Sequence, residues 1–326
     1  MRAVLLKDFG PPDRLAVAEV PDPRPGPGEV TVRVSAVGIQ FLETQIRAGL
    51  MRDAPGQAPL PLVLGKEVAG EVVATGPGAG EAVLGSRVLA TTAAVGGYAE
   101  LAVVPADSLI PVPEALDTGA AVALYRHGAT AEALIRAARV APGDRVLVQA
   151  AAGAVGTILV QLLKRRGATV IGTAGGGQKL TLVKELGADH AVDHALPDWA
   201  DRVREVAGGG VDVVLDHIGG TLGREAFGLL ASETGRQVVF GFSGGAPLDV
   251  KPLELLSRNL TLTGFSARAL WSRPDQAREL VIGILDLAVE GAIRPVVGQT
   301  FPLEEAAAAH AAVEARTTVG KTLLVP

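Results

Sequence analysis

The chain has 326 residues, of which 48% are hydrophobic and 20% are charged, and it carries a formal net charge of −5. This composition predicts a globular protein, and the acidic balance leaves no basic surface for nucleic acid. The sequence contains no cysteine, which excludes disulfides and thiolate metal ligands and is typical of a cytoplasmic protein. A chain of this length is too long to fold around a single hydrophobic core, so we expect two domains.

Short strand-like segments separated by glycine and proline fill the first part of the chain. An AVLL segment precedes a proline-rich turn, and further strands are predicted at 30–38, 68–76 and 86–92. Their close spacing predicts an antiparallel, barrel-like domain. Residues 113–140 then show helical spacing and lead into a different pattern.

The segment VLVQAAAGAVG, residues 146–156, combines a buried strand, a turn of small residues and the start of a helix. In that context a glycine motif predicts a phosphate site. Gly153 lets a pyrophosphate approach the backbone, Gly156 lets the helix pack against the strand, and the helix N-terminus offers N–H donors to the anion. Ala151 stands where the G-x-G-x-x-G motif has its first glycine, so a plain tight turn is the alternative. The run 146–163 has the length of a membrane span, but glycines and glutamines interrupt it, and we expect no membrane insertion.

The next strand, ATVIGT, ends where an NAD-specific protein places a carboxylate on the ribose 2′-hydroxyl. This chain has Thr173, Ala174 and Gly175 there, followed by Lys179. With no carboxylate to repel a 2′-phosphate and a cation nearby to pair with it, the sequence favours NADP(H) over NAD(H). Lys179 is the expected phosphate ligand, and a solvated lysine at the start of a helix over 178–186 is the alternative.

Strand and helix patterns alternate from the glycine motif onwards. About six strands with intervening helices are predicted between residues 125 and 265, which is the pattern of a doubly wound parallel sheet. The fold class expected from the residues is therefore α/β. The tail returns to short elements: a helix over 275–290, a strand in PVVGQTFPL, a helix in EEAAAAHAAVEAR and a closing strand, KTLLVP, that is expected to join the first domain.

Motifs along the whole chain resemble those of the medium-chain dehydrogenase/reductase superfamily: AVGIQFLETQIRAGL, LPLVLGKEVAGEVVATG, GSRVLA, GGYAELAVV, VLVQAAAGAVG and GADHAVDH. Within it, the chain is similar to the zinc-independent quinone oxidoreductases, the NADPH:quinone reductases. The resemblance implies a GroES-like, β-rich catalytic domain over 1–122 and 266–326 and a Rossmann NADP-binding domain over 123–265. It also implies a cofactor cleft between the domains and a homodimer formed through the edge strand near LTLTGF.

Zinc-dependent members of the superfamily carry a cysteine after the A-V-G-I strand and a histidine in a G-H-E segment. This chain has Gln40 near the first place and Lys66, in GKE, at the second. Lysine is a poor zinc ligand at neutral pH, and no cysteine is present to replace the thiolate. The five histidines share no metal-ligand spacing, so we expect NADP(H) as the cofactor and no zinc.

Matching the chain to the family residue by residue implies a set of cofactor contacts. They are Gly153, Ala154, Val155, Gly156, Thr173, Lys179, His194, His217, Gly241, Phe242, Ser243, Phe265, Ala267, Arg316 and Thr130. Several have another interpretation: Arg316 as a helix C-terminal cap, Thr130 as core packing and His194 as a surface residue. His217 occupies a position where the family more often has a small residue.

Without a Lewis acid, an alcohol is a difficult substrate, because its hydroxyl must lose a proton as hydride leaves. An electron-poor quinone, or an alkene conjugated to a carbonyl, accepts hydride directly, so catalysis would depend on placement in a dry cleft. The substrate-cleft candidates are Gln40, Met51 and Thr130, and the sequence has no recognisable acid–base pair. The leading hypothesis is an NADPH-dependent quinone reductase; an enone or 2-alkenal reductase and a non-catalytic NADPH-binding protein are the alternatives.

Overall fold

The computed structural model describes residues 1–52, 59–92 and 96–326, and the chain divides into two compact units. Unit 1 comprises Met1–Arg126 and Val281–Pro326, and unit 2 comprises His127–Leu280. The domain limits expected from the sequence, 1–122 with 266–326 and 123–265, stay a prediction. Within the described ranges, no helix combines the length and the apolar character needed to cross a membrane.

The N-terminal part of unit 1 consists mainly of short strands. Its elements are β1 (Arg2–Leu6), β2 (Leu15–Glu19), β3 (Glu29–Gly38), α1 (Phe41–Arg47), β4 (Leu62–Val63), β5 (Glu67–Thr75), β6 (Arg87–Thr91), β7 (Leu101–Pro105) and β8 (Ile110–Pro111). Helix α2 (Thr118–Ala137) follows as one continuous helix within the predicted range 113–140.

Unit 2 alternates strands and helices. Its elements are β9 (Arg145–Val148), α3 (Ala154–Arg165), β10 (Thr169–Ala174), α4 (Gly177–Glu185), β11 (His190–Asp193), α5 (Trp199–Val206), β12 (Val213–Asp216), α6 (Gly220–Gly228), β13 (Arg236–Val239), α7 (Pro252–Arg258), β14 (Thr261–Gly264) and α8 (Ala267–Trp271). All its strand pairings are parallel, in the order β11–β10–β9–β12–β13–β14, which confirms the predicted six-stranded sheet. The strand order reverses between β9 and β12, and ligands of such sheets bind at the carboxyl ends of the strands next to this reversal.

The core of unit 2 explains why its strands are apolar throughout rather than alternating. Leu147 of β9, Ile171 of β10 and Val214 of β12 are fully buried and pack with Trp199 and Phe227 from two helices. A parallel sheet covered by helices leaves no strand face for water, so continuous apolar runs are expected.

The last elements return to unit 1: α9 (Pro274–Val289), β15 (Val297–Pro302), α10 (Ala306–Glu314) and β16 (Lys321–Val325). The larger sheet has the order β15–β16–β3–β5–β6–β8, with β7 also paired to β3. β16 pairs antiparallel with β3, so the closing strand joins the first domain as predicted. In the described part of this sheet, β15 and β16 are the one parallel pair. A smaller antiparallel sheet has the order β2–β1–β4.

The central strand of unit 1 shows how an apolar sequence still forms a partly solvated sheet. In β3, Val30 and Val32 are fully buried, whereas Arg33 and Ser35 are exposed between buried neighbours. Side chains of a strand alternate between its two faces, so the two polar residues share one face.

Candidate cofactor and acceptor site

The glycine turn after β9 has the local geometry of a phosphate-binding turn. Helix α3 has 12 residues, and Gly153 is its N-cap in an extended conformation (φ −80°, ψ 174°). A β-carbon added to Gly156 would lie 2.3 Å from the carbonyl oxygen of Ala150 and 2.7 Å from Cα of Ala151, both backbone atoms. Only glycine permits this contact, which holds the N-terminus of α3 close to the turn, where its N–H groups can receive an anion.

The alanine at the first motif position is accommodated by a glycine in the neighbouring strand. Ala151 is fully buried and donates its N–H to the carbonyl of Thr173 at 2.9 Å. A β-carbon added to Gly172 would lie 2.9 Å from Cβ of Ala151 and 2.5 Å from Cγ1 of Val183. The methyl group of Ala151 therefore packs where Gly172 has no side chain, and the turn tolerates the departure from G-x-G-x-x-G.

The carboxyl end of β10 gathers three of the residues expected around a 2′-phosphate. Thr173 is buried, and its hydroxyl has no hydrogen-bond partner among the described residues. Residues 175–177 are all glycine, and β-carbons added to the last two would meet no atom within 4 Å. Nε2 of His194, which follows β11, would lie 3.5 Å from a β-carbon on the first. Lys179 is the third residue of α4, so Thr173, His194 and Lys179 belong to one corner of unit 2.

Asp193, the last residue of β11, brings an unpredicted carboxylate to the same corner. Its Oδ2 accepts a hydrogen bond from the N–H of Gly176 at 3.2 Å, and its Oδ1 accepts one from the N–H of Ala195 at 2.9 Å. The carboxylate of an NAD-specific protein is expected at the end of β10, whereas Asp193 lies at the end of β11. Because β10 and β11 are parallel neighbours, their carboxyl ends share one edge of the sheet. The segment HAVDH, residues 190–194, is the sequence feature that could have indicated a carboxylate there.

The end of β12 forms a second part of this edge around His217. A β-carbon added to Gly241 would lie 2.6 Å from Cδ2 of His217. The N–H and the hydroxyl of Ser243 both donate to the carbonyl of His217, at 3.0 and 3.1 Å. Burial lowers the pKa of His217 to about 4, so its imidazole is neutral at pH 7. The structure thus brings together His217, Gly241 and Ser243, and leaves Phe242 exposed (60%) beside them.

The other predicted contacts of unit 2 lie on separate elements. Phe265 follows β14 and donates its N–H to the carbonyl of Val239 at 2.8 Å, and Ala267 is the exposed first residue of α8. Thr130 is buried on α2, a position that suits its core-packing interpretation.

Three predicted residues belong to unit 1. Gln40 is the N-cap of α1, and its side-chain Nε2 is buried without a hydrogen-bond partner among the described residues. Met51 is half-buried shortly after α1, and residues 53–58 lie outside the described part of the chain. Arg316 is exposed, has φ +55° and donates its N–H to the carbonyl of Val313 at 3.1 Å. This is the backbone geometry of a helix C-terminus, in agreement with the cap interpretation.

A buried hydrogen-bond network centred on Glu43 starts at the main chain of Gln40 and was not predicted. One carboxylate oxygen of Glu43 accepts from the N–H of Gln40 and from the hydroxyl of Tyr98, each at 2.8 Å. The other oxygen accepts from the N–H of Lys66 at 3.0 Å. The hydroxyl of Tyr98 also lies 3.0 Å from Nε2 of His310. Tyr98 is separated from Glu43 by 55 positions and from His310 by 212, so no local sequence pattern connects them.

The electrostatics of this network make Glu43 its titrating group. Burial raises the pKa of Glu43 to about 7, although the N–H of Gln40, the hydroxyl of Tyr98 and the ammonium of Lys321 act to lower it. Burial, helped by the charge of Arg47, lowers the pKa of His310 to about 3. Burial and the neighbouring carboxylate of Glu43 raise the pKa of Tyr98 well above its usual value. Near neutral pH, the imidazole and the phenol are therefore both uncharged.

A buried ion pair lies close to the same backbone segment. Nζ of Lys321 donates to Oε1 of Glu67 and, at 2.9 Å, to the carbonyl oxygen of Ile39, the residue before Gln40. The side chains of Lys321 and Glu67 are 1% and 0% exposed. Burial lowers the pKa of Lys321 while the charge of Glu67 opposes that shift. The pair links the closing strand β16 to β5 and to the approach to α1.

The donor groups on this side do not resemble a zinc site. Among the described residues, there is no cluster of three or more His, Cys, Asp or Glu side chains that could hold a metal. Gln40 and Lys66 meet at the Glu43 carboxylate through their main-chain N–H groups. Their side chains end in an amide and an ammonium group, whereas zinc sites in proteins use imidazole, thiolate and carboxylate ligands.

Both units contain segments that match known protein families. Residues 26–114 match the alcohol dehydrogenase GroES-like domain family, and residues 154–283 match the zinc-binding dehydrogenase family. A 2-haloacrylate reductase from Burkholderia is 36% identical, over 100% of this chain and 99% of the relative. Two solved structures in complex with NADPH align over 100% of both chains: a quinone oxidoreductase from Escherichia coli (32% identity, TM-score 0.92) and a mycobacterial protein (34% identity, TM-score 0.90). The predicted fold class, a GroES-like domain plus a Rossmann parallel sheet, is confirmed.

Proposed function

Because this chain belongs to the quinone oxidoreductase family of the medium-chain dehydrogenase/reductase superfamily, and is an oxidoreductase, we propose that it reduces quinones with NADPH and without zinc. The observation that carries the proposal is the glycine turn after β9. The contact of Gly156 with Ala150 and Ala151 brings the start of α3 to the carboxyl edge of the sheet. NADPH, when bound, supplies the hydride that reduces the acceptor.

The residues of unit 2 fit a phosphorylated dinucleotide. The N–H groups of the turn over 153–156 would receive the pyrophosphate. The buried hydroxyl of Thr173, which has no partner among the described residues, and the open glycine run 175–177 suit the ribose end. Lys179 would pair with the 2′-phosphate. Both oxygens of Asp193 are engaged by backbone N–H groups, which reduces the repulsion of a phosphate by this carboxylate.

The residues of unit 1 do not fit zinc. The two positions that hold zinc ligands in zinc-dependent relatives carry Gln40 and Lys66, and the chain has no cysteine to add. An ammonium group has no lone pair for a metal at neutral pH, and a single amide oxygen is a weak ligand for zinc. We therefore propose that no metal ion takes part in the reaction.

On the acceptor side, Gln40 is the proposed hydrogen-bond donor. Its Nε2 is buried and has no partner among the described residues. An acceptor carbonyl gains negative charge as it is reduced, and an amide N–H aimed at that oxygen stabilises the developing charge. Met51 would supply a flexible apolar contact for the acceptor ring, and this role does not require a residue of fixed shape.

The second candidate function is the reduction of an alkene conjugated to a carbonyl or carboxyl group. The 36% identical relative from Burkholderia is a 2-haloacrylate reductase, and a 2-haloacrylate is such an alkene. In this reaction the β-carbon receives the hydride, the α-carbon receives a proton, and the carbon–carbon double bond becomes single. The same amide donor would serve, because negative charge again develops on the conjugated oxygen.

The proposed homodimer rests on the family resemblance and on the position of β14. This strand ends the sheet of unit 2 in the described part of the chain, and its Thr261 and Gly264 are exposed. An open strand edge is a template for pairing with another strand, so we propose that two copies pair there. Sedimentation equilibrium should give twice the chain mass, and a monomer at all concentrations would contradict the proposal.

An acceptor panel tests the function. Purified protein is mixed with NADPH and, in parallel, with a benzoquinone, a phenanthrenequinone, a 2-alkenal and a 2-haloacrylate, and the loss of NADPH absorbance is followed. We expect the highest kcat/KM with a quinone. A higher kcat/KM with an alkene would favour the second candidate. Tight NADPH binding without turnover of any acceptor would contradict both and would favour a non-catalytic NADPH-binding protein.

A further inference from the structure

Glu43 connects the backbone at Gln40, the proposed hydrogen-bond donor of the acceptor site, with the backbone at Lys66. Its carboxylate binds the N–H of Gln40, where α1 begins, and the N–H of Lys66, which lies just before β5. Glu43 itself is 4% exposed and therefore has no access to a bulky acceptor. Its influence on the reaction would pass through the placement of Gln40.

We propose, on the basis of the proposed function, that Glu43 is a positioning residue for acceptor reduction. Its carboxyl group holds the main chain of Gln40 and of Lys66 in one arrangement, and the Tyr98–His310 pair preserves that arrangement when Glu43 gains or loses a proton.

The three donors around Glu43 explain why a carboxylate is needed. Two N–H groups and one hydroxyl point at its two oxygens, at 2.8, 2.8 and 3.0 Å. An ionised carboxylate is purely an acceptor, so it satisfies all three. A glutamine side chain has one acceptor oxygen and an NH₂ group, and the NH₂ would face at least one of these donors. The isosteric change Glu43→Gln would thus leave a buried N–H unpaired and displace one of the two segments.

Tyr98 and His310 allow two arrangements of the hydrogen bonds that they share with Glu43. When Glu43 is ionised, the hydroxyl of Tyr98 donates to it and accepts from Nε2–H of His310. When Glu43 is protonated, its O–H donates to the oxygen of Tyr98, and the hydroxyl of Tyr98 donates to an unprotonated Nε2 of the other His310 tautomer. The two states differ by one proton on Glu43 and by the tautomer of His310. In both states the remaining lone pairs of Glu43 still accept the N–H groups of Gln40 and Lys66.

The charged groups around Glu43 come from several elements, and they oppose one another. The Lys321–Glu67 pair acts from β16 and β5, with Lys321 favouring the ionised form of Glu43 and Glu67 disfavouring it. Arg126 of α2 is also coupled to Glu43, and burial lowers the pKa of Arg126. On the helix of Glu43 itself, Arg47 is paired with Glu314. Burial is the largest effect and raises the pKa of Glu43 to about 7. The two arrangements therefore exchange near neutral pH, where many enzymes work.

The test compares three variants with the unmodified protein. Glu43→Gln removes the titration and one acceptor, and Tyr98→Phe removes the hydroxyl while leaving both N–H contacts in place. Thr44→Val is the matched control, because Thr44 is a fully buried neighbour on α1. Among the described residues, its hydroxyl bonds within that helix, donating to the carbonyl of Phe41 and accepting from the side chain of Gln45. The readouts are NADPH affinity, thermal unfolding as a function of pH, and kcat and KM for the best quinone as a function of pH.

We expect Glu43→Gln to lower kcat/KM by about 10- to 100-fold, since a displacement of about 1 Å in a positioning group has that effect, with NADPH affinity unchanged. Because both arrangements hold Gln40 and Lys66, kcat of the unmodified protein should show no inflection near pH 7. The inflection near pH 7 in its unfolding profile, which reflects the titration of Glu43, should disappear in Glu43→Gln. Tyr98→Phe should shift this inflection to higher pH, because the hydroxyl that lowers the pKa of Glu43 is lost. It should also make kcat depend on pH, because protonated Glu43 then has no hydroxyl to donate to and the arrangement of Gln40 and Lys66 is no longer preserved. Thr44→Val should lower the unfolding temperature while the pH profile of kcat stays as in the unmodified protein.

Several outcomes would overturn the inference. A folded Glu43→Gln variant with unchanged kcat/KM and pH profile would overturn it, as would an equal loss of kcat/KM in Thr44→Val. If Glu43→Gln cannot be obtained folded, Tyr98→Phe decides. A kcat that becomes pH-dependent supports the inference, and a kcat that stays independent of pH overturns it. If the unmodified protein reduces none of the acceptors, the proposed function is contradicted, and the inference, which rests on it, is contradicted as well. If the unmodified protein reduces an acceptor, the variants test the inference alone.

Discussion

Replacing Gly156 with alanine should weaken NADPH binding and destabilise unit 2 together. The added β-carbon would lie 2.3 Å from the carbonyl oxygen of Ala150 and 2.7 Å from Cα of Ala151, whereas ordinary contacts begin at 3.4 Å. Because both opposing atoms are backbone, the start of α3 or the turn must move by about 1 Å, since a close-packed interior offers no spare volume. Overpacking of this kind costs about 1–3 kcal/mol. The free protein can relieve this strain by moving the start of α3, whereas NADPH binding requires the original arrangement. If binding restores the strain, the Kd for NADPH should rise about 10- to 100-fold.

The assay pairs this variant with Gly283→Ala. Gly283 is exposed within α9, and a β-carbon there would meet no atom within 4 Å, so alanine should stabilise the helix by about 0.5–1 kcal/mol. Denaturant unfolding gives the stability of each variant, and calorimetric titration gives its NADPH affinity. A Gly156→Ala protein that binds NADPH as tightly as Gly283→Ala would refute the assignment of this turn to the cofactor.

Three further predictions concern charged and titrating side chains. Lys179→Ala should weaken NADPH binding and barely change NADH binding by titration, and equal losses for the two cofactors would remove Lys179 from the phosphate site. Lys321→Met should lower the free energy of unfolding by about 3–5 kcal/mol, because it leaves the buried carboxylate of Glu67 uncompensated. The double variant with Glu67→Gln should recover most of that loss, and no recovery would contradict the ion-pair account. Since the pKa of His310 is lowered to about 3 from its ordinary 6.5, its unfolded form binds more protons between these values, and stability should fall as pH drops through this window. His310→Gln should flatten that fall in thermal unfolding scans, and an unchanged slope would contradict this origin.

The fold could be predicted, and the turn proposed for the cofactor could be located, because their signals are local. The apolar runs of β9 and β10, the small residues over 150–153 and the helical spacing after Gly156 can each be recognised locally in the sequence, and each element follows from its own residues. The parallel sheet follows from the alternation of such segments. The alanine at position 151 also depends on a single neighbour, because its methyl group packs where Gly172 has no side chain.

The support of the proposed acceptor site could not be predicted, because its partners come from distant parts of the chain. Lys321 is 254 positions from Glu67, and His310 is 212 positions from Tyr98. A polar residue such as Glu43 on a short helix has no sequence feature that distinguishes a solvated side chain from a buried one. Asp193 illustrates a smaller failure: its role depends on the register between β10 and β11, which only the assembled sheet defines.

The most direct test of a metal-free, NADPH-dependent reductase is steady-state quinone reduction by protein that has been stripped with a strong chelator and assayed for metal. We expect the stripped protein to contain no zinc, to keep its full kcat with NADPH and to give a higher kcat/KM with NADPH than with NADH. Turnover that is lost on stripping and restored by one equivalent of zinc, or the absence of affinity for both reduced nicotinamides, would contradict the proposed function.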